Sequence, residues 1–299
     1  MSPEVATPPA PQGVTKKDLR ADAPTWCAGC GDFSVLAQYF KLCEKRGVPH
    51  EKITSVAGIG CSSRFPYFVN AHGTHFIHGR ALPYATGLAL SRPDLHVFVF
   101  SGDGDAFSIG GNHVDHAGRK NVNMTFVVMD NFVYGLTKKQ TSPTSPIGFK
   151  SKTDTTGSVD QPVNPMKKLI AGGTSFIARS HAQMPAHLIE MMDKAMDHPG
   201  LSVIECLSEC AEFYAGAFDV ALPRKGGQFQ LVPADHDVTD EVGAYRLALA
   251  PFPGYFGVFY QVKRPTKQDN EQKLIDTARA ATQNAPPLAL LQKTFDRMK

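Results

Sequence analysis

Two groups of residues in this 299-residue chain have types and spacings that do chemistry. The first is a set of six cysteines: Cys27, Cys30, Cys43, Cys61, Cys206 and Cys210. Cys27 and Cys30 form a CxxC turn, and Cys61 stands in Gly60-Cys61-Ser62. A four-iron cluster takes four thiolates, commonly two from a tight CxxC turn and others from distant loops; a structural zinc ion is suited equally well by four separated cysteines. A CxxC alone also resembles a dithiol redox site, which lies at a helix start after a strand. A helical pattern follows Cys30, but Leu19 to Thr25 is no strand. The second group is Gly102-Asp103-Gly104 together with Asn131. Glycines let backbone amides approach phosphate oxygens, and two side-chain oxygens suit a magnesium ion that keeps its other positions for phosphate, backbone and water.

The elements that must position these groups can be read from apolar periodicity. Phe33, Leu36, Ala37, Phe40 and Cys43 recur at helical steps from Asp32 until Gly47. Ile53 to Ala57 reads as a short buried strand. Leu95 to Phe100 is almost unbroken apolar and stops at Ser101-Gly102, the pattern of an interior parallel strand, and Met124 to Met129 repeats it before Asp130-Asn131. Ile109 to Arg119 predicts a crossover helix, Pro185 to Asp197 another helix, and Leu201 to Leu207 another strand. This alternation predicts an α/β fold with a mostly parallel sheet flanked by helices. Ligands in such a sheet sit at the carboxyl ends of strands, so Asp103 and Asn131, which end consecutive strands, reach one ion. Asp105 competes with Asp103 and reads as a cap or supporting group.

Cys61 follows a strand end and can converge with Cys27 and Cys30. The fourth ligand is then Cys206 or Cys210; the strand puts Cys206 inside the sheet and Cys210 in the loop beyond, so Cys210 is chosen. Cys43, on the apolar face of its helix, and Cys206 read as core. His72, His75 and His78 lie in a loop with short extended parts rather than on one ligand face, and His113 and His116 lack a third ligand, so neither set reads as a metal site.

Residues 1–24, with five prolines and no apolar period, predict a surface-draped arm. Residues 25–235 form the expected main domain, and 236–299 a C-terminal extension with helix-like (Glu241 to Ala250, Asn270 to Thr282) and strand-like (Tyr255 to Val262) pieces but no chemical motif. Residues 138–165 form a long loop rich in Lys, Ser, Thr, Pro and Gly. A formal charge of +3 argues against nucleic acid or an anionic membrane as partner. No apolar run approaches the roughly 20 residues of a membrane span, and no signal-peptide layout opens the chain, so a cytoplasmic protein is expected.

Gly102-Asp103-Gly104 followed after 26 intervening residues by Asn131 resembles the signature of thiamine-diphosphate enzymes. That signature assigns the Asp103 and Asn131 side chains, and the backbone oxygen of Val133, to Mg²⁺. With a CxGCG element at Cys27 to Gly31, a GCS element at Gly60 to Ser62 and an LSxC element at Leu207 to Cys210, the chain resembles the β subunits of 2-oxoacid:ferredoxin oxidoreductases over about residues 24–235. Glu209 departs from the family's usual proline. The resemblance implies a thiamine-diphosphate-binding fold and a [4Fe-4S] cluster on Cys27, Cys30, Cys61 and Cys210. It implies cofactor contacts at Cys61, Ser62, His78, Gly79, Gly102, Asp103, Gly104, Asn131, Val133, Gly135 and Leu136, and places Arg64 and Lys138 at the substrate carboxylate. It further implies CoA-dependent oxidative decarboxylation of a 2-oxoacid, with CoA as co-substrate and electrons leaving through the cluster to ferredoxin, reversible as reductive carboxylation. An α subunit is required, in a heterodimer or dimer of heterodimers. The loop Ser142-Pro143-Thr144-Ser145-Pro146, the run Gly148 to Ser151 and the LSEC element are more similar to 2-oxoglutarate enzymes than to pyruvate ones. Pyruvate, branched-chain and indolepyruvate enzymes are the alternatives within the class. A non-catalytic zinc- or cluster-stabilised interaction subunit is the alternative outside it.

Overall fold

The computed structural model describes residues 13–283 and 285–298. Its sheet has eight strands: β1 (Ile53–Ala57), β2 (His72–His75), β3 (His96–Gly102), β4 (Met124–Asp130), β5 (Phe176–His181), β6 (Leu201–Leu207), β7 (Gln230–Leu231) and β8 (Tyr255–Gln261). The helices are α1 (Asp32–Arg46), α2 (Ala81–Ser91), α3 (Gly111–Lys120), α4 (Pro165–Ala171), α5 (Pro185–Asp197), α6 (Glu241–Leu247), α7 (Lys267–Ala281) and α8 (Pro287–Arg297). The strand order is β2-β1-β3-β4-β6-β5-β8-β7. β2 through β5 in that order run parallel, and β8 joins β5 antiparallel.

Strand alternation splits the core into two layers. Phe98 and Phe100 of β3, Val127 and Met129 of β4, and Ile204 and Cys206 of β6 pack with α1 and α5. Val97, Val99, Phe126, Val128 and Val203 face the opposite layer, against α2, α3 and α4. Cys206 therefore points into an apolar layer and not toward the loop that follows it; Cys43 is buried in the same layer. Both are core residues, as the sequence implies.

The crossover helix expected from Ile109 begins at Gly111, because the chain first makes one wide turn over Gly104–Ile109. β5 was not foreseen: Phe-Ile-Ala-Arg-Ser-His has no apolar run, and its polar members are buried through partners, Arg179 with Glu205 and Ser180 with His187. The two boundaries drawn from sequence do not coincide with edges of the fold. Residues 1–12 of the expected arm lie outside the described residues, but from Gly13 onward the chain is tied down, with Val14 and Leu19 buried and bridges from Gly13 to Pro49 and Arg20 to Val69. At the other end, β8 extends the main sheet beyond residue 235, whereas α7 and α8 bury no side chain among the described residues. No helix among those residues is long and apolar enough to cross a membrane.

Candidate functional site

Because β1, β3, β4 and β6 are parallel neighbours, their carboxyl ends meet along one edge of the sheet. The segments that follow them are Gly58–Cys61, Asp103–Gly104, Asn131–Gly135 and Ser208–Cys210, so every motif singled out from sequence except the CxxC turn leaves the sheet on that edge.

The CxxC turn is brought there by hydrogen bonds. The Cys30 amide donates to the Cys27 carbonyl (3.0 Å), with Gly29 at φ +84°, and the Gly31 amide donates to the Glu209 carbonyl (3.1 Å). A Cβ on Gly31 would meet the Ser208 hydroxyl at 2.6 Å, so only glycine lets the two loops touch. The Ser208 hydroxyl donates to Asp32 (2.6 Å), and the Trp26 indole donates to the Cys61 carbonyl (2.7 Å). Glu209, where the family usually has proline, braces the last loop instead: its carboxylate accepts from the Gly216 amide (2.8 Å) and the Gln183 side chain (3.2 Å).

These bonds bring Cys27, Cys30, Cys61 and Cys210 within electrostatic reach of one another: Cys30 and Cys61 each feel Cys210, and Cys61 and Cys210 each feel Cys27. The Cys61 and Cys210 sulfurs lie 3.6 and 3.4 Å from the point where a Gly135 Cβ would sit. Burial pushes the Cys30 and Cys210 thiols up and Cys61 to about 12; the Asp32 charge and then neighbouring sulfurs add to the rise for Cys30 and Cys61, and the Cys27 sulfur adds to it for Cys210. Against this, the backbone amides of Glu212, Phe213 and Tyr214 are aimed at the Cys210 sulfur and favour its anion. Four sulfurs that repel one another once ionised, one of them met by amide donors, suit a cationic centre that neutralises them, an iron–sulfur cluster or a zinc ion alike. Among the described residues, no three His, Cys, Asp or Glu side chains already stand as a single-ion cage.

Asp103 is buried and accepts from the hydroxyls of Thr144 (2.7 Å) and Ser142. Thr144 is also 2.9 Å from Asp130, whose other carboxylate oxygen is buried without a partner. Burial pushes both carboxyls up, and for Asp130 the charges of Asp103 and Glu205 push further. The Asn131 side-chain oxygen accepts from the Val133 amide (3.1 Å) and retains a lone pair. This oxygen-rich, cation-poor group fits a divalent ion bound by Asp103, Asn131 and the Val133 carbonyl. Ser62 faces the same place, its hydroxyl 3.0 Å from where a Gly102 Cβ would be. Gly104 lies under the Tyr134 ring, which leaves no room for a side chain.

Asp105 is a hub. One oxygen accepts from the His78 imidazole (2.5 Å) and from the amides of Gly79 (2.6 Å) and Ile59 (3.0 Å); the other accepts from Ser101 (2.5 Å). It thus ties the loop of Cys61 to that of His78 and Gly79, the supporting role read from sequence. His75 goes instead to Tyr67 (2.8 Å) and His72 is exposed, so the three histidines serve different ends. Arg64 is half-buried, with its guanidinium 5.9 Å from the Phe68 ring centre. Lys138 is exposed on a turn with φ +71°, beside the exposed Leu136. Sequence reasoning missed Asp130, Thr144, Ser145 and Tyr134. The only signal was the clustering of hydroxyls in the 142–145 loop, read as substrate-selecting but turned inward onto the carboxylates.

Residues 58–206 match the family model of the thiamine pyrophosphate enzyme C-terminal TPP binding domain. The chain is 41% identical over 237 residues to 2-oxoglutarate oxidoreductase subunit KorB of Mycobacterium tuberculosis, covering 79% of this chain and 63% of that one. It is 45% identical over 185 residues to 2-oxoglutarate synthase subunit KorB of Archaeoglobus fulgidus, covering 62% and 69%. The aligned stretch thus spans less than two thirds of the mycobacterial relative's length. A solved 2-oxoglutarate:ferredoxin oxidoreductase from Magnetococcus marinus, with 2-oxoglutarate, coenzyme A and succinyl-CoA bound, superposes with a TM-score of 0.83 at 36% identity, over 92% of this chain and 97% of that one. With the sheet-edge site, these similarities show that the chain belongs to the family of 2-oxoacid:ferredoxin oxidoreductase β subunits.

Proposed function

We propose that the chain is the cofactor-bearing subunit of a CoA-dependent 2-oxoglutarate:ferredoxin oxidoreductase, which forms succinyl-CoA and CO₂ and passes electrons to ferredoxin. One observation carries the reading: the turn that leaves the Asn131 motif brings Gly135 against the Cys61 and Cys210 sulfurs, so the diphosphate site and the thiol group share a wall. Bound there, thiamine diphosphate supplies the carbon nucleophile and electron sink, and a [4Fe-4S] cluster supplies a one-electron relay.

The chain's own residues position and charge the reaction. Asp103, Asn131 and the Val133 carbonyl would hold Mg²⁺; Ser62, His78, Gly79, Gly102, Gly104, Gly135 and Leu136 would line the cofactor. Arg64 and Lys138 would hold the substrate carboxylate by charge-assisted hydrogen bonds. The aminopyrimidine ring also needs a carboxylate from a second domain, so an α subunit completes the site and the chain alone is inactive. The choice of 2-oxoglutarate is supported by the names of the relatives and the acid held in the Magnetococcus marinus structure. The six free thiols suit a reducing cytoplasm.

The test is anaerobic, CoA-dependent viologen reduction by the chain purified with its partner, comparing 2-oxoglutarate, pyruvate and a branched-chain 2-oxoacid, with iron and zinc measured in the same sample. Reduction by 2-oxoglutarate is expected. Reduction only by another acid overturns the substrate; silence with all three, or zinc in place of iron, overturns the catalytic reading.

A further inference from the structure

Phe132 stands between the two residues assigned to the cation, Asn131 and Val133, and it lies in the left-handed region with φ +61°. Glycine reaches that region freely, whereas a bulky aromatic residue avoids it. Three restraints hold it there. The Phe132 amide donates to Asp130 (3.0 Å), and its carbonyl accepts from the Ser145 hydroxyl (2.7 Å). The ring packs edge-on against Phe218 and Phe252, with centroids 5.0 and 5.3 Å away.

The left-handed residue bends the chain at the end of β4. That bend lets the Asn131 side chain cap the Val133 amide and keeps both ligand-bearing residues on one side of the turn. We infer that Phe132 is a positioning residue: its ring, gripped by Phe218 and Phe252, maintains a backbone conformation that preorganises Asn131 and the Val133 carbonyl for the divalent cation. The Ser142–Ser145 loop is the other half of the device. Thr144 holds Asp103 while Ser145 holds the Phe132 carbonyl, so one loop sets both ends of the ion's ligand set. This inference rests on the magnesium and thiamine diphosphate reading above.

The experiment compares Phe132→Gly with Phe132→Ala in the full-length chain purified with its partner subunit. Mn²⁺ is titrated in the presence of thiamine diphosphate and bound metal is read by electron paramagnetic resonance, independently of turnover. Both substitutions delete the same ring contacts; only glycine adopts the left-handed conformation without the clamp. Phe132→Ala is expected to weaken Mn²⁺ binding about tenfold and Phe132→Gly several-fold less. Phe252→Ala, at a half-exposed ring, is expected to weaken binding in the natural background and to have no further effect on Phe132→Gly. Equal losses for the alanine and glycine variants, with a wild type that binds, overturn the positioning role and leave the cofactor reading intact. A wild type that binds no Mn²⁺ overturns both.

Discussion

Asp105 offers the sharpest test of how the site is held together, because one buried carboxylate accepts from Ile59, His78, Gly79 and Ser101. Asp105→Ala leaves two backbone amides, an imidazole and a hydroxyl without their acceptor. A buried polar group left unpaired costs about 1–3 kcal/mol, and water entering the vacated space recovers part, so a net loss of about 4 kcal/mol is expected. In a protein of this size that lowers the unfolding midpoint by roughly 6 °C. Asp105→Asn is far milder, about 1 kcal/mol, since the amide oxygen still accepts from the three N–H groups and the amide nitrogen donates to Ser101. Gly58 reports on the same contact: a Cβ there would stand 2.0 Å from the Asp105 carboxylate, so Gly58→Ala mimics Asp105→Ala. The Ile59 amide lies two residues before Cys61, and Gly79 beside His78. Asp105→Ala is therefore expected to weaken cluster retention, read by visible absorbance, and thiamine diphosphate binding, read by fluorescence quenching, together. Loss of one with the other untouched would refute the argument that this carboxylate couples the two loops.

Further outcomes follow from the same geometry. Cys210→Ser should bleach the visible absorbance of the purified complex while Cys206→Ser leaves it in place; bleaching by the second would show that the apolar layer is not where Cys206 acts. Arg179→Met strands Glu205, 1% exposed and paired to Arg179 at 2.5 Å, and should cost about 3–5 kcal/mol in urea unfolding; a loss under 1 kcal/mol counts against it. Burial holds His181 and His198 down at about 4, against an ordinary 6.5, so both are neutral in the fold and take protons on unfolding below pH 6.5. Their contribution to stability should be full above that pH and fall as pH drops from 6.5 to 4, by roughly 3 kcal/mol for each histidine. His181→Gln should make that slope shallower, and an unchanged slope would rule the histidine out as a source.

The family model, the relatives and the structure agree with the family and the fold that the motifs implied, and the reason is local. A glycine that must admit a phosphate, a cysteine that must carry metal and an apolar run that must fill a parallel sheet each leave a mark within a few residues. Residue type and spacing by themselves therefore determined the α/β architecture, the placing of Asp103 and Asn131 at neighbouring strand ends, and the burial of Cys206 in the core while Cys210 lies beside Cys61. The limits of the sheet were not legible in the same way. β8 pairs with β5 across some 80 residues, and β5 hides its strand character behind Arg179 and Ser180, whose burial depends on Glu205 and His187. Tertiary structure alone decided that Asp105 joins the loop of Cys61 to that of His78 and Gly79 and that Asp130 and Thr144 sit behind Asp103. It alone turned the hydroxyls of residues 142–145 inward and made Glu209 a brace where proline is usual. Each of these depends on partners far apart in sequence, and a hydrogen bond across the fold leaves no period or motif in either segment it joins.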